Sequence, residues 1–211
     1  MAQPPMWDEV VLISIYRSGD TTTGERNFAG IHTGSIEINE GDYPFESIPN
    51  SAGGRIGHQM PQEDHEITFN DIIPLDIATD ADNKGLDQFW NGVSGAPPAA
   101  YDTSAEPRVT DSSWLAGQNR VRDSFRVSIL WTNDPASVAS AAAATAASTD
   151  SKRIYCTDCR ITSHKDSWSP SDGYKVSVTF KAPAMNKAGT IRTLIRESAI
   201  SAALATLGAY S

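Results

Sequence analysis

Cysteine is nearly absent from this 211-residue chain, which holds only Cys156 and Cys159. Two are too few for the disulfide framework of a small secreted domain. Long apolar runs are missing as well: no segment reaches the roughly 18 to 20 consecutive apolar residues that a helix needs to cross a bilayer. Met1-Ala2-Gln3-Pro4-Pro5 lacks the basic start and apolar middle of a signal peptide, so the expectation is a soluble product made in the cytoplasm, with no membrane partner. Positive charge is scarce, with 17 Lys and Arg against 26 Asp and Glu and a net charge of -9. That balance argues against a surface built to grip nucleic acid, which needs clustered cations to displace counterions from phosphate. Trp7, Trp90, Trp114, Trp131 and Trp168 are scattered along the row and make no stacking platform. There is no internal repeat.

Catalytic motifs are missing too. No Ser-His-Asp order, nucleophile elbow or glycosidase carboxylate pair can be named, so no catalytic residue, no cofactor and no enzymatic activity are expected. Cys156-x-x-Cys159 with His164 is a weak candidate for zinc, because thiolates at this spacing beside an imidazole suit a tetrahedral site. A fourth ligand is lacking and the segment reads as a strand, so the expectation is no metal and two small buried thiols. Residues three apart on a strand point to opposite faces, so the two cysteines would not meet without a bulge. Glu63-Asp64-His65-Glu66, with His58 nearby, reads as a solvated turn. Gly53-Gly54-Arg55-Ile56-Gly57 has the glycines of a phosphate cradle without the flanking strand and helix.

What the chain does have is strand pattern. In Arg126 to Trp131 the apolar Val127, Ile129 and Trp131 share one face, and Tyr174, Val176, Val178 and Phe180 repeat that pattern opposite Lys175, Ser177, Thr179 and Lys181. Both strands are expected to have one dry and one wet face. Arg153 to Ser163 is a further strand, Glu9 to Tyr16 one covered on both sides, and Ile31 to Glu40 and Glu66 to Ile73 two more. Asp134-Pro135 followed by alanine-rich 136–147 predicts a short helix lying on a sheet or a neighbouring subunit. Thr193 to Leu207 predicts a terminal helix, and 85–90 a short one. The row reads as a single domain over 1–211, with a long loop at 41–64 that reaches outward and a peripheral excursion over 74–123.

Arg126-Val-Ser-Ile-Leu-Trp-Thr-Asn-Asp134, the alanine segment, Arg153 to Ser163 and Asp172 to Pro183 together resemble the C-terminal half of the major tail, or tail tube, proteins of long-tailed double-stranded DNA viruses. Glu46 to Ile56 followed by Glu66 to Asn70 is similar to their long loop and returning strand, and the acidic, lysine-poor row resembles versions from viruses of halophilic archaea. The resemblance covers about residues 9 to 183. It implies a mainly β (α+β) fold: a β-sandwich or partly closed barrel with a flanking alanine-rich helix, contributing strands to a ring-shaped inner barrel. It further implies a virion structural protein, a homo-oligomer of stacked hexameric rings with other tail proteins at the tube ends. Viral double-stranded DNA would pass through an acidic or neutral lumen without specific binding, and the 41–64 loop would bridge to the next ring. The alternatives are a tube or adaptor subunit of a contractile injection or tail-completion assembly, a small metal-binding or redox module using Cys156, Cys159 and His164, and a monomeric carbohydrate-binding sandwich.

Overall fold

The computed structural model describes residues 10–18, 25–27, 35–72, 124–132, 140–146, 151–199 and 202–210. They form ten strands: β1 (Val10–Arg17), β2 (Glu25–Asn27), β3 (Ser35–Asn39), β4 (Phe45–Pro49), β5 (Arg55–Gln59), β6 (His65–Ile72), β7 (Phe125–Thr132), β8 (Ser151–Ser169), β9 (Gly173–Ala182) and β10 (Leu194–Ser198). No helix occurs among the described residues, and the fold is mainly β. Eight strands join in one sheet, in the order β2-β1-β7-β8-β9-β6-β3 with β10 also on β8, while β4 and β5 pair apart from it. Every pairing between these strands is antiparallel.

The 19-residue β8 organises the sheet. Its first half pairs with β7 on one edge and β10 on the other, and its second half pairs with β9. Between Phe125↔Cys159 and Val127↔Cys156 the β7–β8 register slips, so β8 carries one residue more than β7 over that stretch. Asp158 takes up the change with φ of 57°, a left-handed conformation that Asp tolerates better than most residues. Tyr210 fixes it: the phenol accepts from the Asp158 N–H at 2.9 Å and donates to its carboxylate at 2.7 Å. This is the bulge that the spacing of the cysteines requires, and it buries Cys156 and Cys159 in one core cluster.

That main core joins apolar residues of the two halves of the sheet. Phe69, Phe125 and Phe180 meet edge to face, with centroids 6.1 and 6.3 Å apart, among Ile13, Ile15, Val127, Ile129, Val176 and Val178. A smaller core lies against β1 and β7, from Leu12, Leu130, Ala141, Ala199 and Leu204. It explains why β1 is covered on both faces, as its sequence predicts, and it corrects the expectation of a wet face on β7. Arg126, Ser128 and Leu130 are all buried, because 140–146 and 202–210 are bonded along that part of the molecule. In β9 the alternation holds for Val176, Val178 and Phe180, whereas Tyr174 is exposed.

Two helix expectations are overturned. Over 140–146 the chain makes a turn, with Ala143 N–H donating to Ser140 C=O, and then an isolated bridge from Thr145 to Leu204. The backbone groups that an α-helix would use internally bond the C-terminal segment instead: Thr145 N–H donates to Leu204 C=O and Leu207 N–H to Ala142 C=O. Alanine's small side chain lets the chain lie close enough to the sheet for this, and tertiary pairing overrides its helix propensity. Residues 134–139 and 147 lie outside the described residues. The Thr193 to Leu207 helix is replaced by β10 and an extended 202–210, since the edge of β8 offers the backbone a ladder. The expectations for 74–123, including the helix at 85–90, lie outside the described residues.

Candidate functional site

The polar face of β3, β6, β9 and the second half of β8 is built in rungs. The register aligns Glu37, Thr68, Thr179 and Ser163 across four strands, and Asn39, Glu66, Lys181 and Arg160 in the next rung. Because opposed residues share a face, their side chains meet. Thr68 and Thr179 hydroxyls are 3.2 Å apart, Asn70 donates to Ser35 Oγ at 3.1 Å and to Glu37 at 2.9 Å, and Lys181 pairs with Glu66 at 2.9 Å. Glu66 raises the Lys181 pKa by accepting its hydrogen bond and by its charge. Lys175 pairs with Asp71 and Lys181 with Glu66, and with Arg160, Lys165 and Glu37 at neighbouring register positions the charges of the face nearly balance in a chain of net charge -9.

The 41–64 segment leaves this sheet, as its composition predicts, but it is not an irregular loop. It is a β4–β5 hairpin whose base is bridged by Met60 N–H to Pro44 C=O and Glu63 N–H to Asp42 C=O. At the tip Asn50 Oδ1 accepts from Ala52 and Gly54 N–H, and Gly53 has φ of 80°. Phe45 lies over Gly57, where an added Cβ would meet its ring at 2.8 Å. Ile48 and Ile56 face each other across the hairpin and are 48% and 60% exposed. A two-stranded hairpin showing apolar side chains to water is marginal alone.

Gly41 anchors the hairpin. Its N–H donates to His65 Nδ1 at 3.2 Å, and a Cβ there would stand 2.1 Å from the backbone oxygen of Glu63. Gly41→Ala is therefore expected to destabilise the protein by about 1–3 kcal/mol, the usual cost of overpacking, measured by urea denaturation. An unchanged midpoint would contradict the contact.

The charge run 63–66 is not uniformly solvated: His65 is buried while Glu63 and Asp64 are exposed. Desolvation is the largest cause that lowers the His65 pKa, aided by Arg192 and opposed by Glu40. A depressed imidazole pKa means that the unfolded chain binds the proton more tightly. Stability is then complete above the unfolded value near 6.5 and falls as pH drops below it, by at most about 1.4 kcal/mol per pH unit for this one proton. Thermal midpoints from pH 7.5 to 5 should show the decline, and His65→Gln should flatten its portion of it.

Cys156 and Cys159 are free thiols, and the Cys159 thiol donates to Cys156 C=O at 3.3 Å. Burial, reinforced by the Cys156 thiol, pushes the Cys159 pKa well up, so the protonated form prevails. His164 follows on β8 opposite Val178, its Nε2 3.6 Å from Asp166. Among the described residues no three or more His, Cys, Asp or Glu are grouped to hold a metal ion. Gly53 and Gly54 serve the hairpin turn, and His58 sits in β5. Trp131 packs against the main core, whereas Trp168 is 69% exposed opposite Tyr174 at the far end of the β8–β9 hairpin.

One cluster escapes sequence reasoning altogether. Arg192 pairs with Glu40 and donates to the Tyr43 hydroxyl at 2.8 Å, while Arg196 reaches the other Glu40 oxygen at 3.5 Å. Desolvation pushes the Glu40 pKa up, yet the two guanidiniums together outweigh it and hold the carboxyl below its usual range. The partners lie 149 to 156 residues apart, so no local pattern could reveal them.

No protein-family model matches the chain, and no curated protein matches it at a significant level. Solved structures similar to it include a sheath/tube terminator of an extracellular contractile injection system, PVC, in its extended state, at 11% identity and a TM-score of 0.44 over 94% of this chain and all of that one. The tube-terminating cap of the anti-feeding prophage aligns at 12% identity and a TM-score of 0.43 over 94% and 95% of the two chains, and an Hcp protein at 11% and 0.32 over 89% and 98%. Alignments at that level assign no role, which has to come from the residues of this chain.

Proposed function

We propose that the chain is a structural subunit that assembles with copies of itself into stacked rings, forming a tail tube through which double-stranded DNA passes in a tailed virus particle. The observation that carries this reading is the state of the sheet margins. β3 and β10 each pair on one side only among the described residues, and the polar face beside β3 is wet while the opposite face is core. Exposed strand edges are liabilities that folds normally cover or close. Pairing between identical copies removes the edges and turns the polar faces toward a common bore. A near-neutral lining of Thr68, Asn70, Ser177 and Thr179 with paired charges suits passage better than a basic one, because it does not hold phosphate. Six copies to a ring and location in the virion tail belong to this reading, and so does the β4–β5 hairpin as the bridge to the next ring.

Sedimentation velocity at rising protein concentration and at several salt concentrations tests it. Rings that grow into longer stacks support a tube. A particle that stops at one ring favours the adaptor or terminator alternative, and a compact monomer under every condition overturns assembly.

A further inference from the structure

The edge of β10 that faces away from β8 combines two independent features. Thr157 N–H donates to Thr193 C=O and Ala199 N–H to Ser151 C=O. The alternation of an antiparallel ladder therefore turns the N–H and C=O of Leu194, Arg196 and Ser198 away from β8. None of the three has a backbone partner on that side among the described residues. Along the same edge lies a cavity of about 300 Å³ lined by Glu40, Arg192, Leu194, Ile195 and Arg196. Two guanidiniums share a single carboxylate there, so the cavity is cationic in a chain whose net charge is -9.

We propose that this edge receives an extended acidic segment from a second copy of the chain. The segment adds a strand to β10 through the outward groups of Leu194, Arg196 and Ser198, and one of its carboxylates sits against Arg192 and Arg196. Main-chain bonds supply the affinity of strand addition. The forked guanidinium selects a carboxylate, by geometry as well as charge, and the second copy is the occupant because its surface carries the complementary sign. An edge that takes up a different part of its neighbour makes a head-to-tail contact, and such contacts close into rings when the rotation permits. This rests on the ring-forming reading and names the surface that serves it.

The test is hydrogen exchange on the full wild-type chain, comparing dilute protomer with the associated form. The Arg196 and Ser198 amides should become protected at least tenfold on association. Ser198→Pro deletes an outward N–H without touching the β8 ladder and should weaken association at least tenfold at every salt concentration. Arg192→Ala with Arg196→Ala should do so at low salt, with the deficit shrinking as salt rises. Association with unchanged exchange at both amides overturns this inference and leaves ring formation standing. Failure of the wild type to associate overturns both.

Discussion

Arg153→Ala should unfold the protein about 10 °C below the wild type, the largest loss expected from any single side chain. Arg153 is fully buried, and its guanidinium donates to Glu197 from Nε at 2.8 Å and Nη2 at 2.6 Å. It donates also to Ala143 C=O at 3.1 Å and Ala205 C=O at 2.7 Å. One side chain thus ties β8 to β10 and to both segments that cover β1 and β7. Truncating it strands a carboxylate and two carbonyls. Breaking a fully buried pair from one side costs about 3–5 kcal/mol. The Glu197 side chain keeps 31% exposure and can be hydrated, so the loss falls at about 3 kcal/mol, still a large part of the roughly 5–15 kcal/mol that separates native from unfolded, and roughly 2–4 °C accompany each kcal/mol at this chain length. Glu197→Gln keeps an acceptor and should lose about 1 kcal/mol. Proteolysis supplies a second readout, since cleavage in 140–146 and 202–210 should accelerate in Arg153→Ala before global unfolding does. A midpoint within 2–3 °C of wild type would show that the clasp is dispensable.

Replacing Ile48 and Ile56 together by aspartate should abolish stacking while the fold persists. The two side chains are about half exposed and sit opposite each other on a hairpin that pairs apart from the main sheet, so the opposed carboxylates cost the hairpin about 0.2–1 kcal/mol while the main sheet and its core are untouched. On the reading that the hairpin seats in the adjacent ring, the same pair becomes buried apolar contact. Two carboxylates there then cost about 2–4 kcal/mol per interface, roughly a 30- to 1,000-fold loss of association. Single rings should remain in sedimentation, because the sheet margins are untouched. Stacks of wild-type length would remove the hairpin from the interface.

The central strands were legible because their burial follows a local period. Val176, Val178 and Phe180 point to the core, and Thr68 with Thr179 to water, as alternation requires. Where the outcome depends on distant chain, local pattern misleads. The alanine segment has high helix propensity, yet Leu204 and Leu207 offer its backbone a partner some sixty residues on. β10 has apolar spacing compatible with a helix, but β8 supplies a ladder that only the fold creates. Arg153 interrupts a strand as an ordinary charged residue, and nothing nearby announces Glu197 or the carbonyls it binds. The hairpin in 41–64 is obscured for a different reason: both its faces are exposed, so burial imposes no alternation on it.

Cryo-electron microscopy of the associated protein tests the central claim most directly. The account predicts hollow rings in which strands of neighbouring copies pair edge to edge and Thr68, Asn70, Ser177 and Thr179 face the lumen. A solitary copy whose β3 and β10 margins are covered by its own chain, or a ring with those four side chains turned outward, would contradict it.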